Sequence, residues 1–175
     1  MPYETYTPLF HEICTKVNNA KDKQAKIKVL QKYRTAALEM FMKSALCPEI
    51  EWMLPVGDVP FIANEAPEGT EHTLLSASMN KVHNYVRLNR EKLNMDPVVG
   101  NPDLNKVKRE MMFIQLLEGL HKNEALLLID AKNKFINKKY KGLNANTVCE
   151  AYGWNENFEP MNAAGTKSSG DWRGA

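Results

Sequence analysis

No run of apolar residues in this chain approaches the eighteen or so needed to cross a bilayer, and the opening stretch "MPYETYTPLFHEICTK" lacks the basic head and apolar core of a secretory signal. The expectation is a protein with no membrane contact, kept in the cytoplasm. Cysteine is scarce as well. Cys14, Cys47 and Cys149 are odd in number, far apart, and without the C-x-x-C spacing of a zinc or redox motif, so reduced and mostly buried thiols are expected. None of G-x-x-x-x-G-K-[ST], H-E-x-x-H, G-x-S-x-G or G-x-G-x-x-G occurs, which leaves phosphate cradles and the commoner nucleophile and zinc arrangements without support. Net charge is only +2, so the average balance selects no partner.

The remaining arrangements with chemical potential are weak. Glu118 and His121 form a single E-x-x-H with Gly119 inside it, whereas carboxylate-bridged di-iron helices use two copies. His11 and Cys14 lie one turn apart, where Cys14 reads as a small buried hydrophobe. His72 and His83 would stand about 16 Å apart along a helix and cannot share an ion. The chain is therefore read as a non-enzyme with no metal and no cofactor.

What is present is helical periodicity. Thr7 and Pro8 form a start signal for a first helix bearing Leu9, Ile13 and Val17 on one face. A second runs from Asp22 to Tyr33 with Ile27 and Leu30 inward, and Thr35 caps a third that carries Leu38, Phe41, Met42 and Ala45 and stops near Leu46. A fourth is expected from Glu71 to Leu88, with Leu75, Met79, Val82 and Val86 aligned. A fifth, capped by Asn101, directs Leu104, Val107, Met111, Ile114 and Leu117 inward and forms the centre of the core. Asn123 caps the next, read through to Asn137, and Asn144 and Gly153 bracket a last helix over Ala145 to Tyr152. The fold class expected is all-α: one domain over residues 1–155 with about six or seven helices, and a loose tail at 156–175. Residues 48–70 carry acids and prolines but no lysine or arginine, and read as an irregular arm, with an extended run suggested by the alternation of Ile50, Trp52 and Leu54.

Two features point at a partner. "KNKFINKKYK" holds five lysines in ten positions, from Lys132 to Lys141. On a continuous helix Lys134, Lys138 and Lys141 share one side, with Lys139 joining them only if the helix ends early, while Lys132 falls inside the apolar face and should snorkel or pair with an acid of the arm. An ordinary solvated face explains such a cluster more often than a phosphate track does. Phe135 looks like core rather than a base-stacking platform. The final helix holds no lysine or arginine, so a DNA-reading helix-turn-helix has little support. The arm contributes Trp52 and Phe61, which either cover the core or anchor a partner.

"EHTLL" at Glu71 to Leu75, "GNPDLNKVKREMMFIQLLEGLH" at Gly100 to His121, "YKGLNANTVCEA" at Tyr140 to Ala151 and the arm "IEWMLPVGDVPFIANEAP" together resemble an uncharacterised family of small proteins encoded by T4-like tailed bacteriophages. The likeness spans about Tyr3 to Phe158. That family is a domain of unknown function, so the resemblance transfers no site residue. It implies a phage product made in the host bacterial cytoplasm. The leading expectation is a non-enzymatic accessory protein that binds a phage or host protein, with a nucleic-acid machine as one setting, through Lys134, Lys138, Lys139 and Lys141 or through Trp52 and Phe61. The alternatives are a weakly specific nucleic-acid binder and a virion or assembly component.

Overall fold

Four side chains set the frame by folding back onto the N–H groups three residues ahead. Asp22 accepts from Ala25 at 2.8 Å, Thr35 from Leu38 at 3.1 Å, Asn105 from Lys108 at 2.8 Å and Asn144 from Thr147 at 2.9 Å. Each satisfies a helix-start donor that has no partner within the helix. They open α2 (Lys23–Lys32), α3 (Ala36–Leu46), α5 (Lys106–Gly119) and α8 (Ala145–Tyr152). The computed structural model describes residues 8–63, 74–89 and 96–161. Within them the other helices are α1 (Phe10–Asn19), α4 (Leu75–Ser78), α6 (Lys122–Lys132) and α7 (Ile136–Lys139), and α4 runs on into a 3-10 turn over Met79–Asn84. Thr7, His72, the distal arm at 64–70 and the tail from 162 lie outside the described residues.

The all-α expectation is corrected by a small antiparallel sheet. Strand β1 (Ile50–Trp52) pairs with β2 (Val86–Leu88), which pairs with β3 (Val98–Val99). The segment read as one helix to Leu88 leaves helical geometry at Tyr85. Leu75, Met79, Val82 and Val86 are all buried as the four-residue spacing required. A buried Val86 satisfies a strand equally well, and its pairing with Trp52, beside Leu88 paired with Ile50 and Val98, decides the matter. Among the described residues six helices are eight residues or longer; α4 and α7 are four-residue turns.

The centre of the core also differs from expectation. It is built around α3, where Leu38, Phe41, Met42 and Ala45 are all buried, and α6, which packs against it. α5 lies to the side and is rotated. Its buried residues are Arg109, Phe113 and Leu117, whereas Val107 and Met111 stand 66% and 56% exposed. Phe113 sets this rotation by packing edge-on to Tyr85 at 5.3 Å and to Trp52 at 6.4 Å. Arg109 reinforces it from the same side, donating to the carbonyls of Leu104 at 2.8 Å and Asn84 at 3.2 Å. Asn101 does not cap α5. It closes a turn by accepting from Asp103 N–H at 3.2 Å, and Asn105 takes the capping role.

At the far end Gly153 adopts φ 70, the left-handed conformation that ends α8, and Trp154 N–H returns to Cys149 at 2.8 Å. The folded chain continues past Asn155, because Trp154 bridges to Pro160 and carries Phe158 into the core.

Candidate functional site

α6 ends where the lysine segment begins. Asn133 is the last half-helical residue, Lys134 takes φ 56, its N–H bonds Ala131, and Phe135 N–H reaches back to Asp130 at 2.8 Å. This double bond pattern is a Schellman closure with lysine in the left-handed position that glycine usually fills. The expected helix through Asn137 is thereby corrected, and the lysines leave any common face.

Lys134 turns inward. Its ammonium donates to the carbonyls of Ser44 at 2.8 Å and Cys47 at 3.0 Å, closing the C-terminal end of α3, and burial pushes its pKa down to about 8. Trp52 meets it there: the indole N–H donates to the same Ser44 carbonyl at 2.9 Å. Two residues considered as partner contacts are thus drawn together as an internal clasp between α3, β1 and the end of α6. The tolerance of Lys134 for a strained backbone follows from this anchoring, since a non-glycine residue at positive φ is held there only by its surroundings.

Lys132 reaches the arm, but neither snorkels nor pairs with an acid as expected: it binds backbone carbonyls there. Only 3% exposed, it donates to Pro55 O at 2.6 Å, Gly57 O at 3.1 Å and the Asn133 side-chain oxygen at 2.6 Å. Burial lowers its pKa and the nearby Asp58 partly restores it. Asn133 also accepts from Gly57 N–H at 3.0 Å, so the arm is fastened at one turn from both sides. We expect Lys132→Met to free the arm and cost about 1–2 kcal/mol, because polar groups at the turn lose an ionic donor. Faster hydrogen exchange confined to residues 53–63 would report it; unchanged exchange there would show that the lysine does not hold the arm.

Of the other lysines, Lys139 pairs with Asp130 at 2.9 Å. Lys138 is exposed with its ammonium 5.5 Å from the Phe135 ring centre, and Lys141 is exposed while its backbone docks on Asn18. Phe135 is 46% exposed, a correction to its placement in the core: the helix break rotates it outward. Phe61 packs partly buried against the core, and the next residue, Ile62, donates its N–H to Glu118 at 2.9 Å. His121, not Asn123, caps α6 through its ring nitrogen and stacks on His11 at 5.5 Å. The E-x-x-H pair is thereby divided between an arm anchor and a helix cap.

The surface that remains for contact is one the periodicity had turned inward. Val107 and Met111 lie one turn apart on the outer side of α5. Beside them the proximal arm crosses, leaving a cleft of about 240 Å³ lined by Leu54, Val59, Pro60, Phe113 and Ile114, with Asp58, Glu110 and Lys132 around it. The arm adds Val56 at 86% exposed and Ile62 at 80%. The signal available in the sequence was that α5 is apolar nearly all round beyond Met111, more than one core-facing stripe uses.

Residues 13–138 match a family of unknown function, DUF6433. The matched span holds the arm, α5, α6 and Lys134 and stops short of Lys139, Lys141 and α8. No curated protein and no solved structure matches the chain. The chain belongs to the DUF6433 family.

Proposed function

We propose that this protein is a non-enzymatic accessory factor of a tailed bacteriophage, made in the host cytoplasm, that binds a phage or host protein through the outer face of α5 and the adjoining arm. The observation that carries this reading is the exposure of Val107 and Met111, two large apolar side chains one turn apart on the outer side of α5. Large apolar side chains grouped on a folded surface mark contact sites more often than isolated ones do. Support for direct nucleic-acid binding contracts to Lys138 and Lys141, because Lys134 and Lys139 are already bonded within the protein. Within this lysine cluster, two remaining cations neutralise too few phosphates for firm binding at ordinary salt.

The double variant Val107→Glu with Met111→Glu should melt within a few degrees of wild type, since both side chains already face water. It should lose capture of the partner when tagged protein is purified from infected cells. Capture that survives nuclease but not this substitution supports the reading. Capture abolished by nuclease and untouched by the substitution would transfer the function to nucleic acid, and recovery of the protein in purified particles would place the contact in assembly.

A further inference from the structure

Arg109 is a buried cation that no acid accompanies. It is only 6% exposed, and its Nε and Nη2 donate to the carbonyls of Asn84 and Leu104. Among the described residues no hydrogen bond takes Nη1, and no carboxylate pairs with the guanidinium. A buried ionised side chain is costly unless an opposite charge meets it, and an arginine is always ionised. This one borders an open pocket of about 540 Å³ between β1, β2 and the start of α5.

The charged residues lining that pocket are Arg87, Lys106 and Arg109 against Glu51. Glu51 is already committed: Arg87 Nε holds it at 2.7 Å and the Asn89 side chain at 3.2 Å. The two terminal nitrogens of Arg87 have no hydrogen bond among the described residues. Lys106 is exposed, and among those residues its ammonium makes neither an ion pair nor a hydrogen bond. It stands three residues before Arg109, hence beside it on α5, and it opens that helix, whose positive end adds to the local field. Three cations against one acid leave the lining with two positive charges in excess. The rest of the wall, from Trp52 to Pro55, is apolar.

We infer that this pocket binds a small organic phosphomonoester, its phosphoryl group held by Arg109, Lys106 and Arg87 and its apolar portion lying against Leu54 and Pro55. A phosphomonoester carries about 1.5 to 2 negative charges at neutral pH, which matches the excess on the wall, whereas a carboxylate carries one. Guanidinium groups meet phosphoryl oxygens with paired N–H donors. The volume also falls within the roughly 300–1,000 Å³ of small-molecule sites. Neither Val107 nor Met111 lines the pocket, so this ligand is independent of the protein contact proposed on α5.

Phenyl phosphate is the probe, titrated into the full chain by calorimetry and followed by NMR. It should bind with a dissociation constant of about 1 mM or tighter and shift the Nε–H signals of Arg87 and Arg109. Phenyl sulfate keeps the shape with a single charge, inorganic phosphate keeps the charge without the ring, and each should bind about tenfold more weakly. Lys106→Glu alters an exposed side chain and places an acid in the first turn of α5, so it should melt within a few degrees of wild type. The same variant should weaken phenyl phosphate binding about tenfold or more. No binding at about 10 mM, equal binding of the sulfate or of inorganic phosphate, or indifference to Lys106→Glu would each overturn the inference. Tighter binding of an end-phosphorylated oligonucleotide or a phosphoserine peptide than of phenyl phosphate would also overturn it and assign the pocket to that polymer.

Discussion

Replacing Lys134 with glutamate is expected to lower the unfolding free energy by about 2–4 kcal/mol, while Lys138→Glu and Lys141→Glu each stay within about 0.5 kcal/mol of wild type. The three residues look equivalent in the sequence and are not equivalent in the fold. Lys138 and Lys141 carry their charges in solvent. The Lys134 ammonium lies against two carbonyls that terminate α3, the helix at the centre of the core, and a carboxylate in its place would oppose both oxygens. Ser44 keeps the Trp52 indole and Cys47 keeps the Ile50 N–H, which limits the loss. Urea unfolding of the three single variants measures the difference, and equal midpoints for all three would refute the clasp.

A pH dependence follows from the same site. The Lys134 amine has a folded-state pKa of about 8 against 10.5 for the free side chain. Between those values the unfolded chain holds the proton that the folded chain has released, so this group makes stability rise with pH through the window and contributes a constant penalty below it. Cys47 and Cys149, raised by burial, act the other way, because the folded protein keeps their protons above pH 9. The wild type alone would therefore mix opposing slopes. The difference between wild type and Lys134→Met isolates the lysine, and it should move in favour of wild type by on the order of 1–2 kcal/mol from pH 7.5 to 10. A flat difference would mean that the amine titrates as if in water.

The same contrast explains what the sequence could and could not reveal. Asp22, Thr35, Asn144 and Gly153 act on backbone groups within a few residues, so α2, α3 and α8 were readable with their ends. Lys132 was readable as an intruder on an apolar face, but its partners, the carbonyls of Pro55 and Gly57 and not an acid, were not. Strands of two or three residues carry too little alternation to compete with a helical pattern, and their partners are distant in the chain: Ile50 pairs with Leu88. On α5 both faces were apolar, and the choice between them was made by Tyr85, Trp52 and Arg109, none of which a helical wheel weighs. The left-handed turn at Lys134 was hidden because nothing local distinguishes an anchored lysine from a solvated one.

Glu124 is where the largest single loss is expected. It sits in the first turn of α6, in register with Leu128 and Ala131, and it is only 1% exposed. Its two carboxyl oxygens accept from Phe10 N–H at 3.2 Å and Leu75 N–H at 3.1 Å, the first residues of α1 and α4. One side chain therefore satisfies helix-start donors on two elements while favouring the start of its own helix. Glu124→Ala would leave both donors buried without this acceptor and open a void beside them, for an expected cost of about 3–5 kcal/mol. Glu124→Gln keeps the shape but only one oxygen, and should cost about 1–3 kcal/mol. The order Ala worse than Gln, with Gln worse than wild type, separates the loss of acceptors from the loss of volume. If Glu124→Leu were as stable as wild type, packing alone would join α1, α4 and α6, and the carboxylate bridge would have no part in holding them.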